Sequence, residues 1–186
     1  MRFHTSRTLF AAGLFTVSAF AHAGGFTLAS ATIKPNSTLT EAQVFNGLGC
    51  NGKNISPALK WSGAPAGTKS FAVTVYDPDA PTGSGWWHWV VFNIPASATE
   101  LPEGAGAANG TGLPAGAVQG RTDFGAPGFG GACPPQGDKP HRYIFTVYAL
   151  KTDKIEVPAD ASAALVGFMI NANRIGKAGF TAKYGR

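Results

Sequence analysis

The stretch YDPDAPTGSGWWHWVVFNIPA, Tyr76 to Ala96, sets two aspartates, three prolines, three tryptophans and a histidine between two apolar runs. Before it, SFAVTVYD alternates Phe71, Val73 and Val75 against Ala72, Thr74 and Tyr76. Within it, HWVVFNIP places His88, Val90, Phe92 and Ile94 on one side and Trp89, Val91 and Asn93 on the other. Period-two patterning with β-branched and aromatic residues predicts two strands joined by a polar turn. HRYIFTVYAL repeats the pattern, with His141, Tyr143, Phe145, Val147 and Ala149 sharing a face. Shorter strands are expected within Phe26–Ile33 and near Leu59–Trp61. One helix is expected late in the chain: Asp160 as its cap, Leu165, Phe168, Met169 and Ala172 at helical spacing, and Gly176 to end it. The fold class is therefore mainly β with a little helix, in a single domain.

The N-terminus reads as an export signal. Arg2 and Arg7 precede an apolar core, Leu9 to Phe20, and Ala21-His22-Ala23 offers small residues for cleavage. That core is shorter than the roughly 20 residues a bilayer span requires, and no later apolar segment approaches that length. Residues 1–23 are thus assigned to a secretory signal and 24–186 to the mature domain, with a periplasmic or secreted destination. Removing the signal takes two of the fifteen basic residues and none of the ten acidic ones, lowering the formal charge from +5 to +3. The remaining Lys and Arg are scattered, without the basic patch and interleaved aromatics of a nucleic-acid binder. No stable membrane insertion is expected.

Cys50 and Cys133 are the two cysteines of the chain. An oxidising destination makes a disulfide the default, against a free thiol or a metal pair, which CxxC spacing does not support here. Between the strands lies a segment from Glu103 to Pro140 without clear periodicity that holds eleven of the twenty-five glycines. A loop of that length in a compact domain is usually functional or disordered. Phe124, Phe129 and Cys133 favour an ordered one.

Of four histidines, His4 and His22 leave with the signal, and His88 and His141 each begin an apolar-patterned strand. His141 and Tyr143 project to one side, Asp77 ends the face of Phe71, Val73 and Val75, and His88 continues the face of Val90 and Phe92. Core faces that turn polar at strand ends suit the mouth of a pocket, with prolines 78, 81, 134 and 135 stiffening the loops beside it.

DPDAP at Asp77–Pro81, WWHWVVFNIP after it and CPPQGDKPHRY at Cys133–Tyr143 resemble the paired signatures of the phosphatidylethanolamine-binding protein family. NGKNISPALKW at Asn51–Trp61 and ALVGFMINANRI at Ala164–Ile175 are similar to its bacterial, Raf kinase inhibitor-like branch of YbhB/YbcL type. The resemblance implies antiparallel sheets with few helices and a small pocket for anionic groups such as phosphate. Carried over by position, it implies a ligand set of Asp77, Asp79, Pro81, Trp86 and His88 from the first signature. The second supplies Gly131, Pro134, His141 and Tyr143. Trp87 stands where many eukaryotic members have a second histidine, and Cys133 replaces a glycine of their second signature.

A carboxylate facing a phosphate directly would repel it, whereas one behind a histidine accepts a ring N–H, fixes the tautomer and raises the basicity of the imidazole, whose other nitrogen is then expected to donate to the anion. Asp77 or Asp79 is expected to orient His88 in this way. Tyr143 and backbone N–H groups near Gly131 would add neutral donors, while Trp86 and the prolines wall the site. The expected protein binds a small anionic or phosphorylated ligand without turnover, with no cofactor and no metal. A Ser84–His88–Asp77 triad and a metal site from His88, His141 and the aspartates are the chemical rivals; neither has a diagnostic spacing. The stronger rival is an interaction module with a vestigial pocket that inhibits a partner kinase or protease, an activity the family resemblance implies.

Overall fold

In a computed structural model, the structure describes Met1 and residues 25–186; apart from Met1, the segment read as an export signal lies outside the described residues. The elements in chain order are β1 (Thr27–Ala29), a 3-10 turn (Glu41–Gln43), β2 (Asn46–Gly47), β3 (Cys50–Asn51), β4 (Leu59–Ser62) and β5 (Ser70–Asp77). They continue with β6 (Trp86–Pro95), β7 (Glu100–Leu101), β8 (Val118–Gln119), β9 (His141–Leu150), α1 (Ala163–Asn173) and β10 (Arg174–Tyr184). The long strands form one antiparallel sheet in the order β10-β9-β5-β6-β8, faced by a small sheet β1-β4-β7, while β2 and β3 pair as a separate ribbon.

The main core lies between the two larger sheets. Phe71, Val73 and Val75 of β5 and Phe145, Val147 and Ala149 of β9 meet Leu28, Leu59, Trp61 and Leu101 of the small sheet. Each such side chain contributes about 1.5–3 kcal/mol when fully buried. A second cluster occupies the opposite face of the large sheet, where Ala72, Val90, Phe92 and Leu150 are covered by α1 and Ile155.

Four expectations shift. The helix is capped by Ser162, whose Oγ accepts from Leu165 N–H at 3.2 Å, rather than by Asp160. Its buried stripe is Ala163, Val166, Gly167 and Ile170, which leaves Leu165 and Phe168 exposed, because Gly167 allows the backbone to lie against the Trp87 indole. Gly176 does not end the helix but sits inside β10, a strand the sequence reading lacked. β6 does not alternate evenly. Its pairing with β5 slips once between Phe71 and Val73 and again between Val75 and Tyr76. At the first slip Asn93 adopts a left-handed φ of 57°, which turns Ile94 into the main core with Trp89 and Val91 instead of onto the side of Val90 and Phe92.

Candidate functional site

Where β5, β6 and β9 reach the end of the main core, the turn after β5 and the loop before β9 close a cavity of about 170 Å³. Asp77, the last residue of β5, lies opposite Trp86, the first of β6, and both line it. His141 and Tyr143 enter from β9 by strand alternation. His88 enters by the second slip in β6: Val75 opposes Trp89 while Tyr76 opposes Trp87, so His88 is the extra residue of a bulge. Bulges re-aim side chains. This one puts His88 on the same side as Tyr143 rather than on the face of Val90 and Phe92 that even alternation predicts.

The polar groups are held from behind. The Asp77 carboxylate is buried; Oδ2 accepts from His141 Nδ1–H at 2.8 Å, and Oδ1 accepts from Asp79 N–H at 2.8 Å. His141 Nε2 lies 3.4 Å from Asp138 Oδ2. His88 Nδ1–H donates to the Gly130 carbonyl at 2.7 Å, and edge-on contacts with Tyr143 (5.1 Å between ring centres) and Phe124 (5.4 Å) fix the ring. Burial pushes the His88 imidazole below its usual range. The Tyr143 side chain is 1% exposed, and its hydroxyl has no hydrogen-bond partner among the described residues. Burial, then the charge of Asp77, raises its pKa, so it stays a neutral O–H at any ordinary pH.

Of the nine positions carried over from the resemblance, seven line this cavity: Asp77, Pro81, Trp86, His88, Pro134, His141 and Tyr143. Asp79 and Gly131 do not. Asp79 faces outward and takes a fork from Arg142: Oδ2 accepts from the main-chain N–H and from Nε, both at 2.9 Å, and Oδ1 from Nη2 at 2.7 Å. Hydrogen bonds from the Arg142 side chain hold its pKa at about 2. The carboxylate that orients a histidine is therefore Asp77, and the histidine is His141. His88 is oriented by a backbone carbonyl instead. Gly131 N–H is already spent on Asn54 Oδ1 at 2.7 Å. The glycine serves close approach: a Cβ there would lie 2.4 Å from Gln43 O and 2.6 Å from Phe45 N, across the bridge that joins Val44 to Ala132. Gly131→Ala is expected to lower stability by about 1–3 kcal/mol or more through this overlap, read by urea unfolding. An unchanged midpoint would show that the two backbones separate freely.

The sequence reading missed Leu48, Ala80, Thr82 and Phe124 as lining residues, and Asn54 as a strut. Asn54 and Leu48 are left-handed non-glycine residues, φ 54° and 52°, a conformation that asparagine adopts more readily than most side chains. The Cys50–Cys133 disulfide is formed, and Cys133 lines the wall beside Pro134 and Pro135. Arg186 ties the same rim, Nε donating to Pro134 O at 2.7 Å and Nη1 to Gly49 O at 3.0 Å. Ser84 is not part of the lining, so the drawn triad does not assemble. Among the described residues no group of three or more His, Cys, Asp or Glu is placed to hold a metal ion, and no helix is long and apolar enough to cross a membrane. What remains is a small, apolar-walled cavity with one unpartnered hydroxyl and one free imidazole nitrogen.

Comparison with known proteins points one way. The family profile described as "Phosphatidylethanolamine-binding protein" matches residues 29–185. UPF0098 protein YbcL of Escherichia coli is 62% identical over 173 residues, covering 91% of this chain and 94% of the relative. UPF0098 protein YbhB of the same organism is 52% identical over 157 residues, 84% and 98% of the two chains. The crystal structure of E. coli YbcL, described as a new member of the mammalian PEBP family, superposes with a TM-score of 0.86 over 88% of this chain and 99% of that one. A homologue from Chlamydia trachomatis, 27% identical, superposes at 0.72 over 87% and 98%.

Proposed function

The chain belongs to the phosphatidylethanolamine-binding protein family, and from that premise we propose that it is an exported binding protein whose cavity takes one small anionic or phosphorylated group without turning it over. The observation that carries the reading is the Tyr143 hydroxyl, buried, neutral and unpartnered, on a residue that lines the cavity. A buried hydroxyl without a partner costs about 1–3 kcal/mol, a cost that a bound oxyanion removes. The volume supports a headgroup-sized ligand, since pockets for drug-sized molecules run from about 300 Å³ upward. Export rests on the Arg2–Ala23 pattern, and it separates this protein from cytoplasmic kinases that an inhibitor of the family's named kind would meet.

Calorimetric titration of the protein with phosphate and with phosphoethanolamine tests the reading. Binding is expected to tighten between about pH 7.5 and about pH 6, because the complex needs one hydrogen between the ligand and His88 Nε2, and phosphate esters gain theirs near pH 6. His88→Ala is expected to abolish the pH dependence. No binding at millimolar ligand would sink the pocket reading and leave the interaction module.

A further inference from the structure

The hydrogen-bond polarity of the cavity is more selective than its charge. A carbonyl oxygen only accepts, so the 2.7 Å contact from His88 Nδ1 to Gly130 O places the ring hydrogen on Nδ1. Nε2, on the other side of the ring, makes no hydrogen bond among the described residues. The residue is 4% exposed and lines the cavity, so Nε2 is reached from there. Burial favours the neutral ring; the Gly130 carbonyl, the charge of Asp77, the Gly131 main chain and the charge of Asp123 pull the other way without reversing it. Nε2 therefore presents a lone pair to whatever enters. The Asp77 oxygens beside it are also acceptors, already engaged by His141 and the Asp79 N–H.

A fully deprotonated oxyanion would press a negative oxygen against that lone pair. An oxyanion with its own hydrogen donates to it, and offers its remaining oxygens to Tyr143 O–H. We propose that His88 sets the specificity of the cavity by accepting a hydrogen bond from the ligand. The cavity then takes phosphomonoesters and hydrogen phosphate in their P–OH form, over sulfate and over phosphodiesters. The proposal rests on the anion-pocket reading and narrows it. An intact diacyl phospholipid, whose phosphate is a diester without a P–OH, is the wrong substrate class; a free phosphorylated headgroup or another phosphomonoester is the right one. The cavity volume of about 170 Å³ agrees with a headgroup-sized ligand.

Four probes decide it: inorganic phosphate, methyl phosphate, dimethyl phosphate and sulfate, titrated by calorimetry at about pH 6, where a phosphomonoester is near half protonated. Phosphate and methyl phosphate are expected to bind at least about tenfold tighter than sulfate and dimethyl phosphate, the discrimination set by one unpaired buried acceptor. In His88→Gln, whose amide both donates and accepts, the gap should close. Ring-nitrogen NMR of the unmutated protein covers the case in which that variant does not fold: saturated with phosphate, His88 should keep its hydrogen on Nδ1 and none on Nε2. Equal affinity for sulfate and phosphate, or an imidazolium in the complex, would overturn the proposal while leaving the anion pocket standing. If none of the four binds, both fall together.

Discussion

Replacing Cys50 and Cys133 together by alanine is expected to lower stability by about 4–5 kcal/mol, the chain-entropy value for releasing a loop of 83 residues. That is a large share of the roughly 5–15 kcal/mol that holds a domain folded. The loss should be visible as a shifted urea midpoint and as faster proteolysis within Glu103–Pro140. The cavity should loosen with it, because Cys133 is wall as well as tether, and Leu48, two residues before the crosslink's other end at Cys50, lines the same opening. A loss under about 1 kcal/mol would mean that the loop is held by its other ties. Those are the Val44–Ala132 bridge, the Asn54 carboxamide on Gly131 N–H, and the Arg186 guanidinium on Pro134 and Gly49.

Tyr143→Phe is expected to move binding and stability in opposite directions. Deleting a hydroxyl that is buried without a partner removes a desolvation cost, so the free protein should gain up to about 1–3 kcal/mol. The same deletion removes a hydrogen bond to a charged ligand, about 1.5–3 kcal/mol, or roughly tenfold to a hundredfold in affinity. A merely structural tyrosine would not behave this way, since losing a satisfied hydroxyl lowers stability. Unfolding in urea and calorimetry on one preparation read both signs. Affinity unchanged in a stabilised variant would take Tyr143 out of the ligand contacts.

The sequence carried the strands that alternate cleanly and lost those that do not. β9 runs without a slip from His141 to Leu150, so the shared face of His141, Tyr143 and Phe145 was legible residue by residue. β5 delivered Asp77 to the same face by the same rule. β10 was hidden by its composition: Gly176 and Gly179 lower strand propensity, and their reason is tertiary. A Cβ at Gly176 would lie 2.7 Å from the Pro65 ring, and one at Gly179 2.5 Å from Phe145 O, contacts that only the folded sheet reveals. The helix was legible as an element, but its cap and its end were not, and its buried stripe was set by Trp87 on the neighbouring strand. At the site, aspartate and histidine were the right residue types in the right loops, yet their pairing was not readable. Asp77 and Asp79 are two apart across a turn, and Arg142 on the outer face of β9 decides which of them turns outward.

The two slips in β6 compensate. Trp86 faces the cavity and Ile94 the main core, both on the side of even-numbered residues, while between the slips Trp89 and Val91 reverse that parity. Seen as a genetic reading frame, β6 carries a plus-one and then a restoring plus-one in a frame of two. A one-residue deletion at His88 would remove the ligand-facing imidazole and leave the first slip, at Asn93, unmatched. Everything on one flank of β6 would then invert, with either Trp86 or Ile94 thrown to the helix side of the sheet. A two-residue deletion that removed both slips would return the ends of the strand to frame. Such a chain should still form its sheets and its core while lacking the binding nitrogen, so the scaffold and the site can be separated by the length of one strand.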